Sequence, residues 1–439
     1  MKNISKQDIL MYLSIILFCM ITIPKLINHI PWHDECLAWI YAREMTFNNV
    51  VQILGNQGHF IVWYLLLMPF AKSNFYFPYS MLLVNWVCYF AAILIMWKKA
   101  PFHPVVKIII TFSWLSLNYF SIVSRWHSAE ILELFLVVSL YKDQMKRPIL
   151  YTLLLVLTAH THLFGAIAVT PLALIFIHNL IKNKNNFSTA CKLSIFLIFT
   201  TGVVLWLYPI LCGTLLGYNS VFIKKTISIS DIIRFYRGTH YLIFLYYLIT
   251  SFIIFILANN KTRFFILTTN IIFIIFHATL YIANNHNMIF LYVYLILAYW
   301  LIDKIHTKPV FNTLFIIFFA CLSFYNSYYL DYTTHNIFKL DLIKYLNNEN
   351  DIKNIYIFEE MCEIEPFLDS RFQVLILNNS ERKNISKNVI PSQKTNTLII
   401  TKEKINDTSI PFKYGDEYET IIWYVTRAKL LNKNTILNF

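Results

Sequence analysis

Two adjacent carboxylates, Asp34 and Glu35, are the residues of this sequence best suited to chemistry. They follow directly after the first long apolar run, residues 9 to 30. Carboxylates are costly beside hydrocarbon, so at the end of a membrane span we expect them to face a hydrated cavity. There they can accept a proton or hold a cation. The alternative is that they only cap a helix, because acidic residues favour helix N-termini.

The residues after this pair have helical spacing. It predicts a helix that lies flat in the membrane interface, with one face formed by Leu37, Ile40, Tyr41 and Glu44.

Histidines form a second set of candidates. His59 opens an apolar segment, His160 and His162 share a turn, and His286 lies in a short loop. Each can hydrogen-bond a sugar or a phosphate. An H-x-H pair can also bind a metal, but two ligands alone are weak evidence for a metal site.

Two further acids, Glu130 and Glu133, lie one helical turn apart inside the apolar run 127 to 141. Acids inside a membrane segment are functional candidates. The simpler explanation is that they pair with Arg125 or with a neighbouring helix.

The composition indicates a membrane protein. Of 439 residues, 57% are hydrophobic and only 14% are charged, against roughly 25% charged in soluble domains. Glycine occurs only 8 times, and no glycine-rich phosphate-binding motif is present, which argues against nucleotide-cradling enzymes. The seven cysteines show no C-x-x-C spacing, as expected of small core residues.

The apolar runs define the membrane segments. A span needs about 20 apolar residues, and the qualifying runs are 9 to 30, 76 to 97, 104 to 123, 127 to 141, 149 to 181, 192 to 217, 239 to 258, 264 to 283, 288 to 302 and 309 to 330. We therefore expect an all-α polytopic membrane protein with about 10 to 11 membrane segments.

Basic clusters orient these segments, because cytoplasmic loops collect Lys and Arg. The clusters are Lys98/Lys99, Lys142/Lys146/Arg147, Lys182/Lys184/Lys192, Lys261/Arg263 and Lys304/Lys308. We expect all of these clusters and the N-terminus to lie on the cytoplasmic side, which gives a consistent topology on two conditions. The run 149 to 181 must be a hairpin that reaches the outer side near residues 160 to 165, and the stretch 59 to 71 must not cross.

The chain divides into two domains. Residues 1 to 330 carry a net charge of +14 and hold the membrane segments, whereas residues 331 to 439 carry −1. The second part is predicted to be a small soluble α/β domain on the outer side. Its predicted elements are a helix at 337 to 346 and strands at 355 to 358, 373 to 377, 397 to 401 and 420 to 425.

Several segments together resemble a known family. Residues 32 to 43 (WHDECLAWIYAR) and 58 to 67 (GHFIVWYLLL) are similar to the first outer loop of polytopic GT-C glycosyltransferases. The closest resemblance is to the bacterial branch related to protein O-mannosyltransferases and to enzymes that add sugars to lipid A or lipopolysaccharide. Those proteins show an acidic pair and a Gly-His-Pro-Pro segment, whereas Phe60 and Ile61 stand here in place of the prolines.

Three later segments resemble the same family in the same order. Residues 119 to 126 (YFSIVSRW) are similar to its aromatic stretch that ends in an arginine. Residues 160 to 165 (HTHLFG) resemble its polar turn, and residues 284 to 287 (NNHN) its outer-loop histidine segment. The resemblance covers most of residues 1 to 330.

The resemblance implies transfer of a sugar from a polyprenyl-phosphate donor to a glycan, lipid or protein acceptor. The family's acidic pair matches Asp34, the expected general base, and Glu35, expected to orient the acceptor or a nearby cation. A single displacement needs one base, so we expect inversion at the anomeric carbon. The resemblance implies no certain cofactor, although some members use a divalent metal ion.

Positive charge is needed where the phosphate leaves. Arg125 ends the resembling stretch and suits this role, although an arginine at a span end can also snorkel to headgroups. The outer loop 218 to 238 adds Lys224, Lys225, Arg234 and Arg237. Positive charge on the outer side favours an anionic partner, either the lipid-linked donor or anionic headgroups.

Two other functions stay open. An O-antigen-type polymerase would place its arginines in large outer loops, and a transporter or flippase would place polar residues at the bilayer midplane. Nucleic-acid binding has little support, because loop orientation accounts for the basic residues. The Ile, Asn and Lys bias indicates an AT-rich bacterial gene, so we expect the bacterial inner membrane, with the N-terminus cytoplasmic and the C-terminal domain periplasmic.

Overall fold

The chain is mostly helical, with a small sheet near its end. A computed structural model describes residues 5–46, 49, 60–73, 75–182, 188–210, 240–279, 285–302, 313, 317, 337–358, 364–368, 371–377, 397–401, 410–415 and 420–427. The helices are α1 Lys6–Ile27, α2 His33–Glu44, α3 Ile61–Lys72, α4 Tyr79–Lys99, α5 Pro104–Thr111, α6 His127–Leu140, α7 Pro148–Ala159, α8 Leu163–Lys182, α9 Thr189–Ile210, α10 His240–Leu257, α11 Asn260–Thr279, α12 Asn285–Trp300 and α13 Ile337–Asn348.

Much of the helical surface is apolar and faces outward. Among the described residues, three helices are long and apolar enough to cross a membrane: α1, α4 and α8. Large side chains such as Met20 and Phe199 are 67% and 71% exposed. An apolar surface of this extent is stable in lipid and not in water, which agrees with the predicted helical membrane protein.

Helix α2 packs across the start of α3. Its buried residues Cys36, Trp39 and Ile40 are spaced three and four apart, so they form one face. The opposing residues of α3 include Trp63 and Leu67, which are also buried. Helix α3 has 12 residues, about 18 Å, so it is too short to cross a bilayer, as its sequence predicted.

The sequence predicted one membrane span for the apolar run 104 to 123, but the structure has a broken helix there. Helix α5 ends at Thr111, and a π-helical turn follows at Leu115–Phe120. The hydroxyls of Ser113 and Ser116 both donate to the carbonyl oxygen of Ile110, at 3.0 and 2.5 Å. Such bonds compete with the helical backbone, and hydropathy alone does not reveal them.

The predicted hairpin at 149 to 181 is confirmed. Helix α7 ends at Ala159, a short turn follows, and α8 begins at Leu163. The turn contacts the start of α3, where the backbone N–H of Phe60 donates to the carbonyl oxygen of Thr161 at 3.4 Å. The α7–α8 turn and the start of α3 therefore meet at one end of the bundle.

The C-terminal part forms a sheet on its own core. Its strands are β1 Asn354–Phe358, β2 Gln373–Leu377, β3 Thr397–Thr401, β4 Ile410–Gly415 and β5 Thr420–Arg427, in the order β2-β1-β3-β5-β4. Strands β1, β2 and β3 are parallel, and β5 is antiparallel to β3 and β4. Leu342 and Leu346 of α13 pack on Ile355, Ile357 and Leu398.

The sequence predicted this helix and four of these strands. Strands β2 and β3 have their predicted bounds, but β4 was missed. It contains Pro411 and ends at Gly415, two residues that count against a strand. Its edge position explains why proline is tolerated there.

The sheet domain contacts the helical bundle beside α2. Arg43 Nη1 lies 3.0 Å from Glu365 Oε1, and the ring of Phe367 lies 4.9 Å from that of Phe77. Phe77 in turn contacts Trp39 of α2 at 5.1 Å. A chain of three rings and one ion pair therefore joins the two parts.

Candidate active site

Asp34 and Glu35 lie in the first turn of α2. Acidic side chains are favoured here, because the N-terminal end of a helix carries partial positive charge. Glu35 also caps the helix, since its Oε2 accepts a hydrogen bond from the backbone N–H of Trp32 at 3.0 Å. The capping alternative from the sequence is therefore confirmed for Glu35.

Glu35 is fully buried and binds three neighbours. Besides Trp32, its Oε1 accepts from the backbone N–H of Ser124 at 2.5 Å, and its Oε2 lies 2.9 Å from His29 Nε2. Burial of a carboxylate is costly unless its oxygens are hydrogen-bonded. The expectation that Glu35 orients an acceptor directly does not fit this burial, and its contacts instead fix the start of α2 to residue 124.

Asp34 is paired with Arg125. Arg125 Nη2 lies 3.1 Å from Asp34 Oδ2; the arginine side chain is 8% exposed and the aspartate 37%. The guanidinium also lies 5.4 Å from the centre of the Trp32 ring, a cation–π contact. Consecutive acids thus hold consecutive residues: Glu35 binds the backbone of Ser124, and Asp34 binds the side chain of Arg125.

A small pocket of about 100 Å³ opens at this pair. It is lined by Asp34, Leu37, Ala38, Tyr41, Trp63, Tyr64, Arg125 and Trp126. The first four are spaced i, i+3, i+4 and i+7, so one face of α2 forms a wall. Asp34 supplies the only carboxylate among the described lining residues, and aromatic rings supply most of the other walls.

The sequence placed part of this face wrongly. Leu37 and Tyr41 line the pocket, and Ile40 is 5% exposed within the bundle, so they do not form the membrane-facing side of a flat helix. The pocket residues Trp63, Tyr64 and Trp126 lie in the segments 58 to 67 and 119 to 126, which resemble the GT-C family, but they were not predicted as site residues. Their place in these segments, and the position of Trp126 directly after Arg125, are the signals that could have found them.

Trp63 provides a hydrogen-bond donor at the pocket. It is 1% exposed, and its indole Nε1 has no hydrogen-bond partner among the described residues. A buried N–H without a partner is costly. A hydroxyl or phosphate oxygen in the pocket would satisfy it.

The predicted histidines contribute less directly. His162 is 7% exposed and stacks on Trp126 with ring centres 3.4 Å apart. Its Nδ1 accepts from the backbone N–H of Phe164 at 3.2 Å, so it supports the pocket wall from behind. The sequence placed His286 in a short loop, but it lies in the first turn of α12. The remaining predicted site residues lie outside the described residues: His59, Lys224, Lys225, Arg234 and Arg237.

Glu130 and Glu133 are buried in the first half of α6. Glu133 Oε2 accepts from Thr161 Oγ1 at 2.6 Å, which corresponds to the expected pairing with a neighbouring element. Glu130 is completely buried, and neither of its carboxyl oxygens has a hydrogen-bond partner among the described residues. Glu130 is the fourth residue of α6, which begins two residues after Arg125, so it lies at the pocket end of the bundle.

Both acids of the pair already have protein partners. Asp34 is held by Arg125, and both oxygens of Glu35 already have partners. The described part of the chain contains no group of three or more His, Cys, Asp or Glu side chains placed to hold an ion.

No protein-family model and no curated protein matches the chain. The chemistry therefore has to follow from the pocket itself. It combines a half-exposed carboxylate, a fixed guanidinium, an indole donor and aromatic walls. Few polar groups among aromatic walls are typical of a small-molecule site, and a carboxylate beside a cation suits attack by a hydroxyl on a centre with an anionic leaving group.

Proposed function

We propose that the protein is a membrane glycosyltransferase that moves a sugar from a polyprenyl-phosphate donor to a glycan, lipid or protein acceptor. The contact between Asp34 and Arg125 at the mouth of an aromatic pocket carries this proposal. The resemblance of residues 32 to 43 and 119 to 126 to GT-C glycosyltransferases supports it, because these segments supply the two partners.

The reaction is a single displacement. The acceptor hydroxyl oxygen forms a bond to the anomeric carbon while the bond from that carbon to the phosphate oxygen breaks. Asp34 takes the hydroxyl proton, and the electron pair leaves with the polyprenyl phosphate. Attack opposite to the leaving group inverts the anomeric carbon. A well-placed base of this kind accelerates reactions by roughly 10²- to 10⁴-fold.

Arg125 stabilises the departing phosphate. A guanidinium has five N–H donors in a planar fork, a geometry that suits phosphate oxygens. Its burial strengthens the attraction, because fewer water molecules screen the charge. The arginine also positions Asp34 beside the anomeric carbon, since the two side chains are already in contact.

The pocket receives only the reacting end of the substrates. Its volume, about 100 Å³, is below the roughly 300 to 1,000 Å³ of pockets that enclose a whole small ligand. The isoprenoid tail fits the apolar outer surface of the bundle, where lipid replaces water. The enzyme thereby draws its donor from the bilayer, with the bacterial inner membrane as its proposed location.

The proposed orientation follows from the charges. Helix α1 begins near Lys6 and ends two residues before His29, which contacts Glu35. The pocket therefore lies at the end of the bundle away from the N-terminus. Helix ends rich in lysine are favoured on the cytoplasmic side. The N-terminus is then cytoplasmic, and the pocket and the sheet domain face the periplasm.

The test replaces the proposed base. We expect Asp34→Asn to lower sugar transfer at least about 100-fold, because the amide cannot take the proton, while the purified protein still binds the polyprenyl-phosphate donor. The matched control is Asp143→Asn, which removes a carboxylate at the opposite end of α6. Transfer is measured with purified protein, and cell-envelope glycans are profiled in cells that carry each variant.

The outcomes separate the candidate functions. Loss of one monosaccharide branch in Asp34→Asn cells, with normal glycans in Asp143→Asn cells, supports the proposal. Shortened polymers with intact branches would indicate a polymerase instead. Near-normal transfer by purified Asp34→Asn would exclude Asp34 as the base.

A further inference from the structure

Asn85 is a buried polar residue inside a helix of membrane length. It lies in α4, which is long and apolar enough to cross a membrane, and it is 0% exposed. Its amide Nδ2 donates to the backbone carbonyl oxygen of Phe120 at 3.1 Å. Such a bond can simply hold two helices together. Polar residues inside membrane helices, however, often mark functional positions, and the partner of this amide lies five residues before Arg125.

The carbonyl of Phe120 needs a donor from outside the segment, because the helical bonds stop there. The backbone N–H of Val123 still donates four residues back, at 2.8 Å, as in an α-helix. The next bond of this series would join the N–H of Ser124 to Phe120. That N–H donates instead to Glu35 Oε1 at 2.5 Å. Glu35 therefore takes the donor that a helix would have used, and Asn85 replaces it.

Two further contacts join α4 to the same segment with the same spacing. Ser124 Oγ donates to the carbonyl oxygen of Met81 at 3.0 Å, and Tyr89 Oη lies 2.6 Å from Ser116 Oγ. The amide contact lies midway between these two, four residues from each along both segments. Positions four apart lie on one face of a helix. The three contacts therefore fix the register of residues 116 to 124 along α4.

This register determines where Arg125 lies, because Arg125 directly follows Ser124. Without the amide of Asn85, the carbonyl of Phe120 would be buried without a donor, which is costly. It would then compete for the N–H of Ser124. A shift of that N–H away from Glu35 would move Arg125 with it.

We propose that Asn85 is a positioning residue that keeps Arg125 in contact with Asp34. It acts through the backbone, because it supplies the donor that Glu35 withdraws from the helix. The expected effect on sugar transfer rests on the proposed function. The expected effect on the position of Arg125 does not.

The test follows Arg125 with phenylglyoxal, an arginine-specific reagent, and measures its modification by mass spectrometry of the purified full-length protein. Arg125 is buried and paired, so slow modification is expected in the wild type. Asn85→Leu removes the donor at similar volume and should accelerate modification towards the rate in Asp34→Asn, which lacks the partner's charge. The control Thr22→Val removes another buried bond of α4, from Trp86 Nε1 to Thr22 Oγ1 at 2.9 Å, and should keep the wild-type rate.

Sugar transfer provides the second readout. A displacement of about 1 Å can cost roughly 100-fold in rate, and we expect a loss of about this size in Asn85→Leu. In an Arg125→Ala background, Asn85→Leu should cause no further loss, because its effect passes through Arg125. Losses that multiply would indicate a general structural role and overturn the proposal. If the wild type transfers no sugar, the proposed function fails, and the modification rates alone decide the role of Asn85.

A second variant covers the case in which Asn85→Leu fails to fold. Asn85→Ala removes the same donor with a smaller side chain, and Thr22→Ala is its control. A wild-type rate of Arg125 modification in a folded Asn85 variant would overturn the proposal. Equal acceleration in the Thr22 control would do the same, because loss of any buried bond of α4 would then explain the result.

Discussion

At the scale of single residues, the two acids of the pair have different environments. Asp34 reaches the pocket, while Glu35 is fully buried and binds the backbone of Trp32 and Ser124 and the ring of His29. Glu35 therefore positions Arg125 indirectly, because it binds the backbone of the preceding residue, Ser124. Adjacent residues on a helix point about 100° apart, which is why neighbours of the same type separate in this way.

Glu35→Gln should lower both stability and transfer. A glutamine places an NH₂ group where two backbone N–H donors converge, so at least one of them loses its acceptor at a cost of about 1 to 3 kcal/mol. Thermal unfolding in detergent measures the stability. The transfer assay measures the loss of activity expected when Arg125 is displaced.

Glu44→Gln is the control for this change, since Glu44 lies on the same helix and its side chain is 59% exposed. Its effect on stability should stay within about 0.5 kcal/mol. Wild-type stability and transfer in Glu35→Gln would contradict the positioning role.

At the scale of elements, the α7–α8 hairpin is closely packed behind the site. A Cβ added at Gly165 would lie 2.5 Å from the carbonyl oxygen of Thr158 and 3.0 Å from Glu130 Oε1. The hairpin also supplies Thr161 to Glu133 and His162 to Trp126. The first turn of α8 therefore needs a residue without a side chain at this position.

Gly165→Ala is expected to destabilise the protein by about 1 to 3 kcal/mol, because the backbone of α7 must move to admit the methyl group. The midpoint of thermal unfolding in detergent measures the change. Because His162 of the hairpin stacks on Trp126, which lines the pocket, we also expect weaker donor binding.

Gly202→Ala provides the matched comparison. Gly202 lies within α9, and an added Cβ would meet no atom within 4 Å. Alanine is favoured over glycine inside a helix by up to about 1 kcal/mol, so this change should be neutral or stabilising. Equal destabilisation by both substitutions would rule out the close packing at Gly165 as the cause.

At the scale of the whole molecule, the sheet domain is attached to the helix that carries Asp34. Arg43 of α2 contacts Glu365, and the pKa of Arg43 is raised above its ordinary value. Burial lowers this pKa, but the negative charges of Glu365 and Glu44 outweigh the burial. The rings of Phe77 and Phe367 add an apolar contact. Movement of the sheet domain would therefore act on α2.

Phe367→Ala should loosen this attachment. Loss of the ring contact costs roughly 0.5 to 1.5 kcal/mol beyond the buried area, so hydrogen exchange in α2 is expected to become faster. Lys344→Ala, on the exposed side of α13, serves as the control. Unchanged exchange in both variants would mean that α2 is held without the sheet domain.

The sequence by itself determined the elements whose signals are local. Hydropathy and helical spacing specify α1, α4, the α7–α8 hairpin and the strands β2 and β3, because each signal comes from neighbouring residues in the chain. The same applies to the acidic pair at the start of α2. The break between α5 and the π-helical turn was not predicted, because hydropathy does not show whether a serine hydroxyl bonds to the backbone.

Only the tertiary structure decided which residues meet. Asp34 and Arg125 are 91 positions apart, and their contact requires α2, the loop before α6 and the buried Glu35 to be packed together. Long-range packing selects these neighbours by burying apolar faces and satisfying polar groups, and neither condition is visible in the spacing of residues along one segment.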